Sequence, residues 1–365
     1  MSKAETMIPQ LRFEGFSGEW LLRELGELVS ITTGKLDANA MKENGQYDFY
    51  TSGIQKYKID VAAFEGPAIT IAGNGATVGY MHYADGKFNA YQRTYVLTDF
   101  KATRSFLFSS ISLALPRKIH QEARTGSIPY IVRSMLTELA IRLPSSSKEQ
   151  TKIGELFQKL DRAIELQQQK VEQSERYKKA MLQKMFPQKG ETEPQLRFEG
   201  FSGGWCRAPL EDILCVNSGR DYKHLSKGDI PVFGTGGYML SVDQALSTSD
   251  AVGIGRKGTI NKPLFLKAPF WTVDTLFFLT TKQLNIVFLF YLLSQINWLR
   301  YDESTGVPSL SKRTIEKIST LYPSKEEQTK IGEFFQSLDV RIEVETKKLN
   351  HYESLKKAML QRMFV

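Results

Sequence analysis

The sequence predicts an α+β protein written twice: two homologous globular domains joined by two long antiparallel coiled-coil helices, with a pseudo-two-fold internal repeat. Three observations predict it. PQLRFEGFSGEW, Pro9 to Trp20, returns as PQLRFEGFSGGW, Pro194 to Trp205, at an offset of 185 and with one change, Glu19 to Gly204. A match of that length makes the repeat the first thing to establish, ahead of any element. A second near-copy closes each half, Ser147 to Phe186 against Lys325 to Phe364, at an offset of 178. Between these copies lie two diverged middles, the second seven residues shorter by the drop in offset. They mix short β-like runs, glycine turns and short apolar helices, as an α+β class does. The expected division is a domain over 1–144, a long helix over 145–188, a second domain over 189–322 and a second long helix over 323–365.

After each opening motif, LRELGELVSITTGK (Leu22 to Lys35) lies over RAPLEDILCVNSGR (Arg207 to Arg220), pairing Leu25 with Leu210, Ile31 with Val216 and Gly34 with Gly219. Further on, DFYTSG (Asp48 to Gly53) faces PVFGTG (Pro231 to Gly236), and AITIAGNGATVGY (Ala68 to Tyr80) faces AVGIGRKGTINKP (Ala251 to Pro263). FNAYQRTYVL (Phe88 to Leu97) faces FWTVDTLFFL (Phe270 to Leu279). An apolar helical stretch follows, Phe106 to Leu115 in one half and Ile286 to Leu293 in the other. Then comes TGSIPYIVRSMLTELAIRLP (Thr125 to Pro144), matched by TGVPSLSKRTIEKISTLYP (Thr305 to Pro323). The framework positions are apolar or Gly, and the positions between them disagree. A duplicated scaffold with different residues in between suits two readings of one kind of target.

In the closing blocks, apolar or tolerated residues recur with 4,3 spacing: Ile153, Phe157, Leu160, Ile164, Gln167, Val171, Ser174, Lys178, Met181 and Met185. The second block repeats it as Ile331, Phe335, Leu338, Ile342, Glu345, Leu349, Tyr352, Lys356, Met359 and Met363. Each seam is apolar at its ends and polar in its middle. Both blocks start after Pro-Ser (Pro144, Ser145; Pro323, Ser324), which is good helix-start chemistry. A helix of that length runs about 60 Å, and its most economical partner is its own copy. The competing arrangement folds each helix against its own domain, but the opposite face is charged (Glu172, Glu175, Arg176, Lys179) and too long for one small domain to cover. An antiparallel pair would hold the two middles at opposite ends of a rod.

At 365 residues and 41% hydrophobic, the chain can bury two or three cores. Its richest apolar stretch, LNIVFLFYLLSQINWL (Leu284 to Leu299), is broken by Ser294 and Gln295 and reads as a buried helix rather than a membrane span. The start, MSKAETMIPQ, lacks a hydrophobic signal core, and Cys206 and Cys215 give no disulfide framework. A cytoplasmic location is expected, with the cysteines as small apolar fillers. The net charge of +8 favours an anionic partner. Searches for GxxxxGK[ST], HExxH, GxSxG and an Asn/Asp-Pro-Pro-aromatic tetrapeptide find none, and His82, His120, His224 and His351 lack ligand spacing. Neither a metal site nor catalysis by this chain alone is expected. GIGRKG, Gly253 to Gly258, is a literal GxGxxG, but a dinucleotide site needs it to open a helix. Pro263 and Pro269 follow it, and AGNGATVG in the other half breaks the pattern. A glycine turn between two strands, displaying Arg256 and Lys257 at its tip with Asn74 as the counterpart of Lys257, is the alternative.

The layout LRFxGFSGxW, a diverged middle, and an EQxKIGExFQxLDxxI helix ending in KKAMLQxMF, all then repeated, resembles the specificity (S) subunit of Type I restriction-modification systems. The likeness covers the chain from about Pro9 to Phe364. It implies a DNA-binding subunit of a restriction system, with two target recognition domains that each contact one half of a bipartite, asymmetric double-stranded DNA site. The helix pair is then a spacer and a docking platform for two methyltransferase (modification) subunits, which restriction/translocase subunits join. The resemblance implies no catalytic residue and no cofactor in this chain. S-adenosylmethionine, ATP and Mg2+ would belong to the partner subunits. The repeated helices carry over onto Ile153, Phe157, Leu160, Ile164 and Val171 and onto Ile331, Phe335, Leu338, Ile342 and Leu349 as the seam of the pair.

Base-reading positions do not carry over, because they fall in the diverged middles. Physical type nominates Lys35, Asn74, Tyr91, Gln92 and Arg93 in the first domain. In the second it nominates Arg220, Lys223, Arg256, Lys257, Trp271 and Asp274, with core packing as the competing reading of Tyr91 and Trp271. Two rivals come from other classes: a non-catalytic coiled-coil tethering protein with two non-DNA ligand-binding heads, and a nucleotide-dependent enzyme built on GIGRKG.

Overall fold

The computed structural model describes residues 8–122 and 129–365, so the opening MSKAETM and the first four residues of the segment Thr125 to Pro144 lie outside the described residues. The chain divides into two compact units. One holds the described residues through Gln168 together with Lys348–Val365, and the other is Gln169–Lys347.

In the first unit, Leu21–Glu24 pairs antiparallel with Ala140–Leu143, Leu21 opposite Leu143, and so closes the two ends of the diverged middle on each other. A four-stranded sheet follows in the order Ser30–Thr33, Thr94–Thr98, Ala68–Ala72, Met81–Ala84. A second has the order Lys56–Ile59, Tyr47–Tyr50, Lys87–Ala90, Phe64–Glu65, with Tyr47–Tyr50 and Lys87–Ala90 parallel. Ala68–Ala72 is buried at every residue, which is why AITIA reads as an unbroken small and apolar run. Its Ile69 and Ile71 join a core with Phe106, Leu107 and Ile111 of the helix Arg104–Glu122, and its Ala68 joins a smaller cluster with Tyr50, Phe88 and Val96.

The second unit repeats the plan. Cys206–Pro209 pairs with Ser319–Tyr322, and a four-stranded sheet runs Leu214–Ser218, Leu276–Thr281, Ala251–Gly255, Leu264–Leu266. A three-stranded sheet runs Gly237–Val242, Lys227–Gly234, Trp271–Thr272, with the last two again parallel. The apolar stretch becomes the helix Ile286–Ser294, whose N-terminus Asn285 caps by accepting from the N–H groups of Val287 and Phe288. GIGRKG opens no helix. Its first three residues end a strand, Gly258 turns at φ +96°, and Leu264–Leu266 returns antiparallel. The cysteines correct an expectation: both are exposed, because Cys215 alternates with the buried Leu214 and Val216 and so faces outward. Among the described residues no helix is long and apolar enough to cross a membrane.

The long helices are Ser147–Met185 and Lys325–Met363, 39 residues each, or about 58 Å. Every position of the 4,3 pattern is buried or half-buried on both. Ile153 and Phe157 share the first unit's core with Met363 and Phe364, with Leu160 packed against it, while Ile331, Phe335 and Leu338 do the same with Met185 and Phe186 in the second. Ile164 and Ile342 are half-buried, and Val171 and Leu349 are buried. The start of one helix thus lies beside the end of the other in each unit, an antiparallel pairing. The ion pairs repeat it: Asp161 with Lys356 in the first unit, Asp339 with Lys178 in the second.

Each core is completed by the helix end of the other repeat. Phe364 stacks on Phe106 at 5.3 Å and meets Trp20 edge-on at 5.9 Å. Phe186 stacks on Phe288 at 5.8 Å and meets Trp205 edge-on at 5.7 Å. The duplicated dodecamer ties this joint. Arg12 binds the buried Glu149 in the first turn of one helix, and the Leu11 N–H donates to Arg362 O at the end of the other (2.8 Å). Arg197 binds Glu327, and the Leu196 N–H donates to Lys184 O (2.9 Å), in the second unit. The repeated EQTKIG joins in. Gln150 accepts from the Thr103 N–H and donates to Pro144 O, both at 2.9 Å, and Gln328 does so with Asn285 and Pro323, also at 2.9 Å. A Cβ at Gly154 would lie 2.1 Å from Ser105 Oγ, so only glycine lets the helix Arg104–Glu122 come this close.

Candidate nucleic-acid interface

Three loops of the first unit meet at one end of its larger sheet. They are the turn after Ser30–Thr33, the turn after Ala68–Ala72 and the link into Thr94–Thr98. The Gly34 N–H donates to Thr94 O (3.2 Å), the Gln92 N–H to Leu36 O (2.8 Å) and the Gly73 N–H to Arg93 O (2.9 Å). A Cβ on Gly34 would sit 1.8 Å from Ala90 O, so this crossing needs glycine. The loops therefore bring Lys35, Asn74, Tyr91, Gln92 and Arg93 together. Lys35, Gln92 and Arg93 are exposed, while Asn74 and Tyr91 are half-buried. Asn74 accepts from Ser52 Oγ (2.6 Å), and Gln92 Nε2 reaches Asp37 at 3.4 Å. His82 lies nearby against Tyr50 and Tyr80, and burial pushes it below the usual imidazole range, so it is neutral at pH 7.

The second unit builds the same end. The Gly219 N–H donates to Leu276 O (3.2 Å), the Arg220 N–H to Thr272 O (2.9 Å) and the Arg256 N–H to Thr275 O (2.8 Å). A Cβ on Gly219 would lie 1.9 Å from Val273 O. Arg220, Lys223, Arg256, Lys257 and Asp274 are all exposed. Trp271 is 5% exposed, clusters with Val232, Val242 and Leu276, and donates Nε1–H to Arg220 O (2.9 Å). Its side chain supports the loop that carries Arg220, which is the core-packing alternative. By strand register the equivalent pairs are Lys35 with Arg220, Asn74 with Lys257 and Gln92 with Asp274. One scaffold thus presents different donors, acceptors and charges at matching points.

Sequence reasoning missed two features. A groove of about 760 Å³ in the first unit runs between the loop carrying Lys35 and Lys42 and the edge strand ending at Ile59. The second unit has one of about 760 Å³ between Lys223, Lys227 and the strand carrying Tyr238 and Met239. The signal available was the pair of lysines following the glycine shared by the two halves, Gly34 and Gly219. The other miss is the segment before the second long helix, which packs on the Arg256–Lys257 turn. There Ser309 pairs with Lys257, and the Leu310 N–H donates to Arg256 O (2.9 Å). Its Asp302 lies below the usual carboxylate range, chiefly through the N–H groups of Ser309 and Ser304, and Glu303 does so through Thr314 and Ser311. Among the described residues no group of His, Cys, Asp and Glu could hold a metal ion.

A family model, the Type I restriction modification DNA specificity domain, matches residues 17–176 and 203–353, once in each half. The chain is 38% identical over 183 residues to the Type I restriction enzyme EcoDI specificity subunit of Escherichia coli, taking in 49% of this chain and 40% of that one. It therefore spans about two fifths of that relative's length. The crystal structure of the Type-I restriction-modification system S subunit from M. genitalium is similar across 98% of this chain and 99% of its own, with a TM-score of 0.77 at 20% identity. A chain from a structure concerned with complex assembly and conformational transition of the type I R-M system is similar across 94% and 97%, with a TM-score of 0.51 at 14% identity. These structural likenesses are of fold.

Proposed function

Because the chain belongs to the family of Type I restriction modification DNA specificity domains, we propose that it is the DNA-reading subunit of such a system, directing methyltransferase and restriction subunits to a bipartite, asymmetric site. The observation that carries this is the pair of matched loop ends, on which Lys35, Asn74 and Gln92 stand where the other unit has Arg220, Lys257 and Asp274. Equal scaffolds with unequal tips read two unequal half-sites. Cations at the tips suit phosphate, and amide, carboxylate and guanidinium groups suit base edges.

Two modification subunits are the proposed direct partners. In support, exposed apolar residues recur at equivalent helix positions, Leu166 with Leu355 in the first unit and Val344 with Tyr177 in the second. Two equal patches suit two copies of one partner. In this reading S-adenosylmethionine, ATP and Mg2+ act on those partners, the chain itself catalyses nothing, and the complex is cytoplasmic. A genome-wide map of methylated adenine with and without the gene tests it. Loss of one split motif on deletion, restored by the gene, is expected. An unchanged map, also unchanged on co-expression with a modification subunit, overturns the reading and favours the tethering protein.

A further inference from the structure

The segment Asp302 to Ser311 carries an apolar tip on a rigid polar base. Asp302 Oδ1 accepts from the Ser304 N–H (3.0 Å), Ser304 Oγ (2.9 Å) and the Ser309 N–H (2.9 Å), closing the loop on itself. Glu303 accepts from Ser311 Oγ (2.9 Å) and from Thr314 Oγ1, pinning the loop to the next helix. The Gly258 N–H donates to Pro308 O (2.8 Å), which fixes the loop to the tip of the Arg256–Lys257 turn. Both carboxylates are thus engaged by donors of the loop and of the helix that follows it. What faces solvent is Val307, 57% exposed, beside Gly306, where an added Cβ would meet nothing within 4 Å. The adjoining recess of about 450 Å³ is lined by the exposed Arg256, Lys257 and Lys312 together with Glu303, whose carboxylate is taken up by Ser311 and Thr314.

Among the described residues of the first unit, Pro129 and Tyr130 repeat the contacts of Pro308 and Ser309. The Gly75 N–H donates to Pro129 O (3.1 Å), Asn74 pairs with Tyr130, and Tyr130 is 49% exposed. In each unit the residue after this proline pairs with the turn that carries a base-reading candidate, Tyr130 with Asn74 and Ser309 with Lys257.

Val307 is exposed, and the turn to which its loop is bonded carries the exposed Arg256 and Lys257, which suit an anionic surface. On duplex DNA, the apolar feature at a base edge is the 5-methyl group of thymine in the major groove. Wedges that part base steps in the minor groove are larger, such as Phe, Leu, Ile or Met. We propose that Val307 contacts a thymine methyl in the half-site read by the second unit, on a loop whose shape Asp302 and Glu303 fix in advance. This rests on the DNA-reading function above.

The test uses the full chain assembled with its modification subunits and duplexes carrying the split motif found by the methylation map. Each thymine of the motif is replaced in turn by deoxyuridine, which removes only the methyl group. One replacement is expected to weaken binding about fourfold, the worth of one buried methyl-sized group. Val307→Ala is expected to bind the thymine duplex about as weakly as the normal complex binds the uracil one, and to be indifferent to the replacement. Its melting temperature should be unchanged, since the side chain is exposed. If the normal complex ignores every replacement, or if Val307→Ala keeps its sensitivity, the inference is overturned. If Val307→Ala instead blocks assembly with the modification subunits, the tip contacts protein and the inference also falls. A complex that shows no sequence-selective binding to any duplex overturns the DNA-reading function itself, a result distinct from a selective complex blind to the methyl group.

Discussion

Arg12 holds Glu149 with a two-pronged grip, Nε to Oε1 at 2.7 Å and Nη2 to Oε2 at 2.8 Å, and Arg197 holds Glu327 the same way at 2.8 and 2.8 Å. Two further Arg12 donors go to the carbonyls of Ser17 and Gly18, so the guanidinium also folds the glycine-rich turn of the dodecamer. Each glutamate is 1% exposed, and a buried charge that loses its partner is expensive. Arg12→Ala should therefore cost the first unit about 3 kcal/mol and leave hydrogen exchange in the second unaltered, and Arg197→Ala should do the reverse. The pair Arg12→Ala with Glu149→Ala should cost less than the two single changes added. Additive losses would show that the fork is not an energetic unit.

Phe364, just past the second long helix, packs on Trp20, Phe106 and Phe157 of the first half of the sequence. Phe364→Ala is expected to cost about 3 to 5 kcal/mol and to speed exchange in the strands Ala68–Ala72 and Thr94–Thr98, leaving those of the second unit protected. Phe186→Ala should show the converse pattern. Loss of protection in Leu276–Thr281 on changing Phe364 would contradict the assignment of helix ends to cores.

These two joints explain what could be read from the chain alone. The repeat, the two long helices and their 4,3 register were legible because local periodicity sets which helix face is buried. The glycine turn at Gly258 was legible because the two prolines that follow left a helix no room. The antiparallel pair places the terminal MF of each helix beside the start of the other, but the side chains it meets there were not legible, because spacing does not say which residues of each domain line that joint. Trp271 was ambiguous for a related reason. FWTVDTLFFL crosses from one sheet to the other at Val273 to Thr275, and alternation alone does not say which face turns inward there. The Asp302 loop was invisible because its bonds join residues whose pairing no pattern of spacing encodes.

The proposed docking patches can be removed without touching a core. Counting heptads from the seam, Leu166 and Val344 fall at c, and Leu355 and Tyr177 fall at g. In an antiparallel pair g faces g, so the two apolar residues of each unit share a flank. All four are exposed, and changes there should alter stability by less than about 0.5 kcal/mol. Leu166→Asp with Leu355→Asp should leave one modification subunit bound in sedimentation experiments, and adding Val344→Asp with Tyr177→Asp should remove the other. Two subunits bound to the fourfold variant would place docking elsewhere.

The cations at the loop tips separate affinity from selectivity. If Lys257 meets phosphate, Lys257→Ala weakens binding equally across sequences and lowers the slope of log affinity against log salt by about 1. Gln92→Ala and Asp274→Ala, which remove no positive charge, should keep the slope and instead relax one base pair in the first and second half-site respectively. A changed motif with Lys257→Ala, at an unchanged slope, would place that side chain on a base edge.

Acid should open the Val307 loop only below the ordinary carboxylate range. Hydrogen bonds donated by Ser309 and Ser304 hold Asp302 below its usual value, and those from Thr314 and Ser311 do the same for Glu303. A carboxylate depressed in the folded state contributes stability that is complete above its unfolded pKa and is lost as pH falls through the folded one. From pH 7 to about 5 the loop should therefore be insensitive to pH, with ordinary Asp and Glu near 4 as the upper edge of the window. Carboxyl carbon shifts of Asp302 and Glu303, followed by NMR down to pH 2, should titrate below the ordinary carboxylate range. Asp302→Asn removes the charge, so it should loosen Ser304 and Ser309 already at pH 7 and take Asp302's share out of the acid transition. A midpoint for Asp302 in the ordinary range would mean that the Ser304 and Ser309 donors do not hold it, and that the tip carrying Val307 is not fixed in advance.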